Sequence, residues 1–265
     1  MPAQNLPGLM LDRAHPLSRG LVGWWPMNEG GGERVNDISG NGNHGLSANG
    51  PTWSGSPHGR AMVFDGTDDV VSVPHAPSLS ITGDLTLAVW AVISSMPGSY
   101  SLIGKLGSYV ATNYVIFVNG SLLSYYDNGV RDSGYTVVAG VPFYAVAVKK
   151  GAVLTWYVDG RFDSTQACND PATTNSAAFL IGRDGVGQPT PGKMWHGRLY
   201  NRALAAREVA QLYADPLAGA LAPTRAARYY TVTAAAPPPA VTAPLSADRL
   251  YNRSQARIFR RGETG

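Results

Sequence analysis

Apolar residues in this chain come in short runs separated by Gly, Asn, Asp and Pro, with no long stretch at helical spacing. The runs predict strands at Leu21 to Trp25, Ala61 to Asp65, Val70 to Val73, Leu85 to Ile93 and Tyr100 to Lys105. Others follow at Asn113 to Val118, Ser121 to Tyr126, Val141 to Lys149, Val153 to Val158, Ala178 to Ile181 and Met194 to Tyr200. Some alternate apolar with polar residues, and others are rich in Val, Ile, Tyr and Trp; both patterns suit a pleated surface. Asn119-Gly120 and Asp159-Gly160 each lie between two runs and predict tight hairpins. So many strands with no amphipathic helix between them predict an all-β fold, a two-sheet antiparallel sandwich. One helix is predicted, Ala205 to Tyr213, where Leu204, Val209, Leu212 and Tyr213 are spaced to meet one surface.

Between the first two strands lies Val35 to Gly45, VNDISGNGNHG. Gly takes positive φ at no steric cost, and Asn or Asp side chains bond back to nearby backbone. The stretch therefore predicts a tight, self-bonded loop at a sandwich rim. Gly40 to Gly45 also matches GxGxxG, but a dinucleotide site needs a helix to start there, and LSANGP after it cannot start one.

Composition agrees with many short strands. Charged residues make up only 15% of the 265, against 31 Gly and 19 Pro. The net charge of +3 has one source. From Pro244 onward Arg249, Arg253, Arg257, Arg260 and Arg261 face only Asp248 and Glu263; taking those five from 21 bases and those two from 18 acids leaves 16 of each elsewhere. A neutral body offers no concentrated positive face, which argues against nucleic acid as its partner. Cys168 is the only cysteine, so no intrachain disulfide forms. No basic-then-apolar signal peptide is visible at the N-terminus, and no run approaches the ~18 apolar residues of a membrane helix. The expectation is a protein that stays in the cytoplasm or leaves it within something larger.

These features divide the chain into a Pro-punctuated N-terminal arm (1–19), the sandwich (20–214), a Pro/Ala-rich extended linker (215–244) and a basic C-terminal arm (245–265). A helix beginning near Asp248 would line up Arg249, Arg253 and Arg257, and such like-charge spacing frays an isolated helix. The arm therefore reads as a segment that orders on a partner, with Arg249, Arg253, Arg257, Arg260 and Arg261 meeting acidic groups. Leu250, Tyr251, Ile258 and Phe259 would supply its apolar anchors.

The order of motifs resembles a laminin-G-like, concanavalin-A-type jelly roll. GLVGWWPMNEGGG, NDISGNGNHG, GRAMVFDGTDDVVSVP, LTLAVW, LTWYVDGRF, FLIGR and LYNRALAAREVAQLY follow one another from about Gly20 to Tyr213. The resemblance implies two curved antiparallel sheets and, in many members, binding of glycans or proteins; a minority of related jelly rolls hydrolyse glycans. It also implies a rim calcium near the Asp of the DxSG loop, here Asp37. Two departures bear on this. PFYAVAVKK replaces a Trp-His-His-type run, and Lys193-Met194-Trp195-His196-Gly197 stands where acidic residues usually precede YNRAL. Calcium takes about six to eight oxygens. Asp37 alone is read as bonded to loop amides, with structural calcium as the alternative. The wording AHPLSRGLVGWWPMNEGGG further resembles laminin-G-like proteins encoded among tailed-phage structural genes.

Catalytic signals are weak. Glycoside hydrolysis needs two carboxylates about 5–10 Å apart. The four Glu (Glu29, Glu33, Glu208, Glu263) form no Glu-x-Asp-x-Glu strand, and adjacent Asp68 and Asp69 would face opposite sides of one. The five His are scattered, and no Ser sits in GxSxG. Trp24, Trp25, Trp53, Trp90 and Trp156 read as core. Trp195, His196 and Tyr200 could stack on a sugar or bury against a neighbouring protein, or Trp195 could simply pack under the helix. The sequence thus leads to a non-enzymatic virion structural protein, a capsid decoration or tail-associated subunit, docked to other virion proteins by its arms. The alternative is a carbohydrate-binding module for host attachment. Homo-oligomers through exposed sheet edges stay open.

Overall fold

The computed structural model describes residues 9–107, 112–169 and 175–221. The strands, in chain order, are β1 (Met10–Leu11), β2 (Leu21–Trp25), β3 (Arg34–Val35), β4 (Gly45–Ala48), β5 (Thr52–Ser56) and β6 (Gly59–Asp65). Next come β7 (Val70–Val73), β8 (Leu85–Ile93), β9 (Gly98–Leu106), β10 (Thr112–Gly120), β11 (Leu122–Tyr126) and β12 (Val130–Thr136). The last are β13 (Phe143–Lys150), β14 (Val153–Val158), β15 (Arg161–Ala167), β16 (Phe179–Ile181), β17 (Pro191–Tyr200) and β18 (Ala220–Leu221), with helix α1 (Ala206–Ala214) before β18. No helix among the described residues is long and apolar enough to cross a membrane.

Two antiparallel sheets face each other, as the strand pattern predicts. The front sheet runs β12-β11-β10-β9-β16-β7-β4-β3; the back sheet runs β15-β14-β13-β8-β17-β6-β5, with β2 also paired to β17. Alternate residues from both fill the space between. Tyr114, Ile116 and Val118 of β10 meet Leu85, Leu87, Val89 and Ala91 of β8 in one cluster, together with Trp25, Trp156 and Phe179. Each large apolar side chain buried there contributes on the order of 1.5–3 kcal/mol.

Both predicted hairpins form. Val158 pairs with Arg161 across Asp159-Gly160, whose φ values of 50° and 74° are those of a type I′ turn. Asn119 pairs with Leu122, so the other turn centres on Gly120-Ser121, one residue further along than the Asn-Gly pair suggests.

A second apolar cluster lies on the outer face of the back sheet. Trp90, Tyr144, Val146, Trp195 and Tyr200 point away from the main core and are covered by Val209 and Leu212 of α1 and by Leu17 and Ala218. This corrects both expected domain boundaries. Residues 9–19 are not a free arm: Leu17 is buried, and Met10 and Leu11 pair with Leu221 and Ala220. The first residues assigned to the linker are likewise packed, because Arg198 Nη2 donates to the carbonyls of Pro216 (2.6 Å) and Ala218 (3.3 Å). The body therefore extends at both ends beyond 20–214. The rest of the linker and the whole basic arm, with Arg249, Leu250, Tyr251, Arg253, Arg257, Ile258, Phe259, Arg260 and Arg261, lie outside the described residues.

Candidate functional site

The outward face of the front sheet carries a cleft of about 190 Å³ over β9 to β12. Strand alternation builds it. While Tyr114, Ile116 and Val118 enter the core, Val115, Phe117 and Asn119 point the other way and line the cleft. Tyr126 of β11 stands opposite Val115 and meets Phe117 edge to face, with centroids 6.5 Å apart and planes at 80°. Leu106 and Val130 complete an apolar wall. Close contact between β9 and β10 at the cleft floor depends on Gly104: a Cβ there would sit 2.4 Å from both the Tyr114 carbonyl oxygen and Val115 Cα.

Polar groups come from Ser99 and Asn119 and from the loop between β16 and β17. That loop is sewn in place. Asp184 Oδ1 accepts from the N–H of Val186 (3.1 Å) and of Gln188 (3.0 Å). Ser101 N–H donates to the Gln188 carbonyl, Gly185 N–H to that of Leu106, and Thr190 Oγ1 to that of Ser101 at 2.7 Å. Asp184 and Gln188 are thus held against β9 as one wall of the cleft. An apolar, aromatic surface with a few fixed polar groups is the usual make-up of a small-ligand site.

The residues expected to contact sugar sit elsewhere. Trp195, His196 and Tyr200 are 1%, 3% and 1% exposed. Trp195 stacks on Trp90 at 5.7 Å and donates from Nε1 to His58 Nδ1 at 3.2 Å. Rings so enclosed present no face to a ligand, which corrects that expectation: β17 turns Trp195 and Tyr200 outward, but the second cluster covers them. His196 has φ of 50° at a bulge in β17, where the pairing with β8 slips between Trp195 and Arg198. Burial, with Arg198 and His58 nearby, pushes its imidazole down to about 3. Arg198 itself lies 3.9 Å above the Trp24 ring.

The rim loop of Val35 to Gly45 is bonded as its composition predicts, with further bonds to β2. Asp37 Oδ1 accepts from the N–H of Trp24 (2.9 Å) and of Ser39 (2.8 Å). Oδ2 accepts from Asn43 N–H (2.9 Å) and lies 2.8 Å from the Ser39 hydroxyl. Asn41 and Asn43 also donate side-chain N–H groups to the Val22 carbonyl. With donors on both oxygens, Asp37 has no lone pair directed at an ion, so these residues do not fit a calcium at this position. Carboxylates of Asp65, Asp68 and Asp69 do come within 4.8 Å of one another in the turn after β6, two of them exposed. Desolvation, together with the neighbouring Asp65 and Asp68, raises the Asp69 pKa against the opposing pull of its bond to Asp65 N–H. These three could approach a cation; the sequence reading noted two of them only as a strand pair.

A laminin-G family model described as the concanavalin A-like lectin/glucanases superfamily matches residues 65–210, more than half of the sequence. The chain belongs to that superfamily. Among solved structures, this lectin/glucanase-type sandwich is similar to domain 4 of AbnA, an extracellular arabinanase of Geobacillus stearothermophilus, in complex with arabinotriose: TM-score 0.60, 16% identity, covering 73% of this chain and 98% of that one. It is similar to the binding domain of Paraclostridial Mosquitocidal Protein 1 (TM-score 0.59, 14% identity, 74% of this chain and 52% of that). It also resembles a sialidase of Trypanosoma rangeli (TM-score 0.57, 19% identity, 73% and 32%). The match thus spans nearly all of the arabinanase domain, half of the toxin binding domain and a third of the sialidase. At these identities the likeness is one of fold. No curated protein matches the sequence.

Proposed function

We propose that this chain is a non-enzymatic binding module that holds a saccharide in the cleft over β9 to β12. The observation that carries the reading is the pairing of the Phe117–Tyr126 wall with polar groups on Asn119, Asp184 and Gln188. Pyranose and furanose rings offer C–H faces for an aromatic wall and hydroxyls for amide and carboxylate partners. A hydrolase needs two facing carboxylates, and the described lining of the cleft includes one, Asp184. An arabinotriose complex of a similarly folded domain supports saccharides as the ligands to try first. The test is calorimetric titration of a panel of neutral oligosaccharides into the protein and its Tyr126→Ala variant. Binding to the parent with roughly tenfold weaker binding to the variant is expected, equivalent to about 1.4 kcal/mol. Saccharide binding unchanged by the substitution moves the site elsewhere, and no binding at all sinks the reading.

A second reading places the module on a virion, as a capsid decoration or tail-associated protein docked to its neighbours through the basic arm. Its support is the neutral body with all surplus charge on Arg249, Arg253, Arg257, Arg260 and Arg261, and the resemblance of the N-terminal wording to phage structural proteins. Removal of residues 237–265 is expected to abolish incorporation into particles. Normal incorporation of the shortened protein contradicts this docking.

A further inference from the structure

We infer that the cleft selects neutral or amine-bearing saccharides over acidic ones, with Asp184 as the residue that sets this preference; the inference rests on the saccharide reading above. Among the described residues that line the cleft, Asp184 is the only acidic or basic one. No nearby cation is among the described residues that line it. Arg131, next to Val130 of the wall, pairs with Asp127 at 3.3 Å. Lys105, one residue before Leu106, is fully buried, with its ammonium on Ser80 Oγ, the Asn175 carbonyl and His75. Arg183 precedes Asp184, but its guanidinium reaches toward Gly187 and does not line the cleft.

An acidic saccharide therefore brings a carboxylate to a wall that already holds one, with no base on the lining to separate them. At a separation of several ångströms, and an effective dielectric between that of water and a protein surface, the repulsion weakens binding by roughly tenfold. Physiological salt, with a screening length of about 8 Å, reduces but does not remove it. Asp184 is also fixed in place. Its 4% exposure and the two amide bonds to Oδ1 keep it from swinging away, so the anion is not relieved by a rotamer change.

Asp184→Asn isolates the charge, because the amide oxygen can still accept from the Val186 and Gln188 N–H groups and keep the loop closed. The experiment titrates pairs of oligosaccharides that share linkage and length but differ in bearing a neutral hexose or a uronate. The parent is expected to bind the neutral member about tenfold more tightly, and Asp184→Asn to narrow that ratio to about twofold, whatever the change in the neutral affinity itself. A thermal melt confirms that the variant is folded. Should it not fold, raising the ionic strength on the parent protein gives the same readout, since an electrostatic preference shrinks in high salt. Equal affinities in the parent, or a gap indifferent to both the substitution and salt, overturn the inference. If Tyr126→Ala still weakens binding in that case, the saccharide site stands and only its charge preference falls; if no saccharide binds, both fall together.

Discussion

The two sheets of this sandwich end in opposite ways on their outer faces. Over β8, β13 and β17 the chain lays a third layer, made of Leu17, α1 and residues 215–218, and under it Trp90, Tyr144 and Trp195 become a second core. Over β9 to β12 the described chain lays down only the loop between β16 and β17, and half-buried Tyr126 lines a cleft there beside the more enclosed Phe117 and Val115. Aromatic residues are used on both faces. What differs is whether the same chain covers them, and that decides which serve stability and which are open to a partner.

The sharpest way to break this contrast is Trp195→Ala. Loss of a fully buried Trp that stacks on Trp90 is expected to cost about 3–5 kcal/mol in urea-induced unfolding, with ligand binding by the folded fraction unchanged. A stable variant that has lost its ligand returns the site to the covered face.

Next in size is a dependence on pH produced by the covered face. His196 is held down to about 3 from its usual 6.5 by burial, and burial lowers His58 too. Below pH 6.5 the unfolded chain takes up a proton that the folded chain refuses. Stability from the neutral imidazole is therefore complete above pH 6.5 and lost as pH falls toward 3, at about 1.4 kcal/mol per unit. By pH 5 His196 alone removes about 2 kcal/mol. His196→Asn, whose side chain tolerates the positive φ, is expected to flatten the slope of unfolding free energy between pH 6.5 and 5. An unchanged slope means the imidazole is already protonated in the fold.

Smallest is the stability effect of Tyr126→Ala on the open face. Because Tyr126 is only half-buried, the cost is expected to stay within about 1 kcal/mol even as saccharide binding weakens. A much larger loss would make Tyr126 a structural residue and remove the contrast between the faces.

Strands with a buried face were legible in the sequence. β2, β7, β8 and β14 have the bounds that their apolar runs predict, because each buries at least one full face. Strands exposed along most of their length were not. β15, RFDSTQA, is exposed or half-exposed along its length, and β12, VRDSGYT, buries one residue in seven, so neither carries a period to read. The candidate site was missed for a related reason. Period two sets Trp195 and Tyr200, five residues apart, on opposite faces of β17; the bulge between Trp195 and Arg198 brings them to one face, and no period reveals that residues distant in the chain fold over it. The signal for the cleft was present in YVIFV: β10 is apolar on both faces, and the one α-helix among the described residues covers the other sheet.

Pairing of Met10–Leu11 with Ala220–Leu221 brings the entering and departing segments of the body together at one spot. Leu11 and Ala220 there pack against the covered cluster, on the far side of the sandwich from Tyr126. A tether drawn from either segment pulls on the back of the module. The cleft is left facing outward, like a cup mounted by its base.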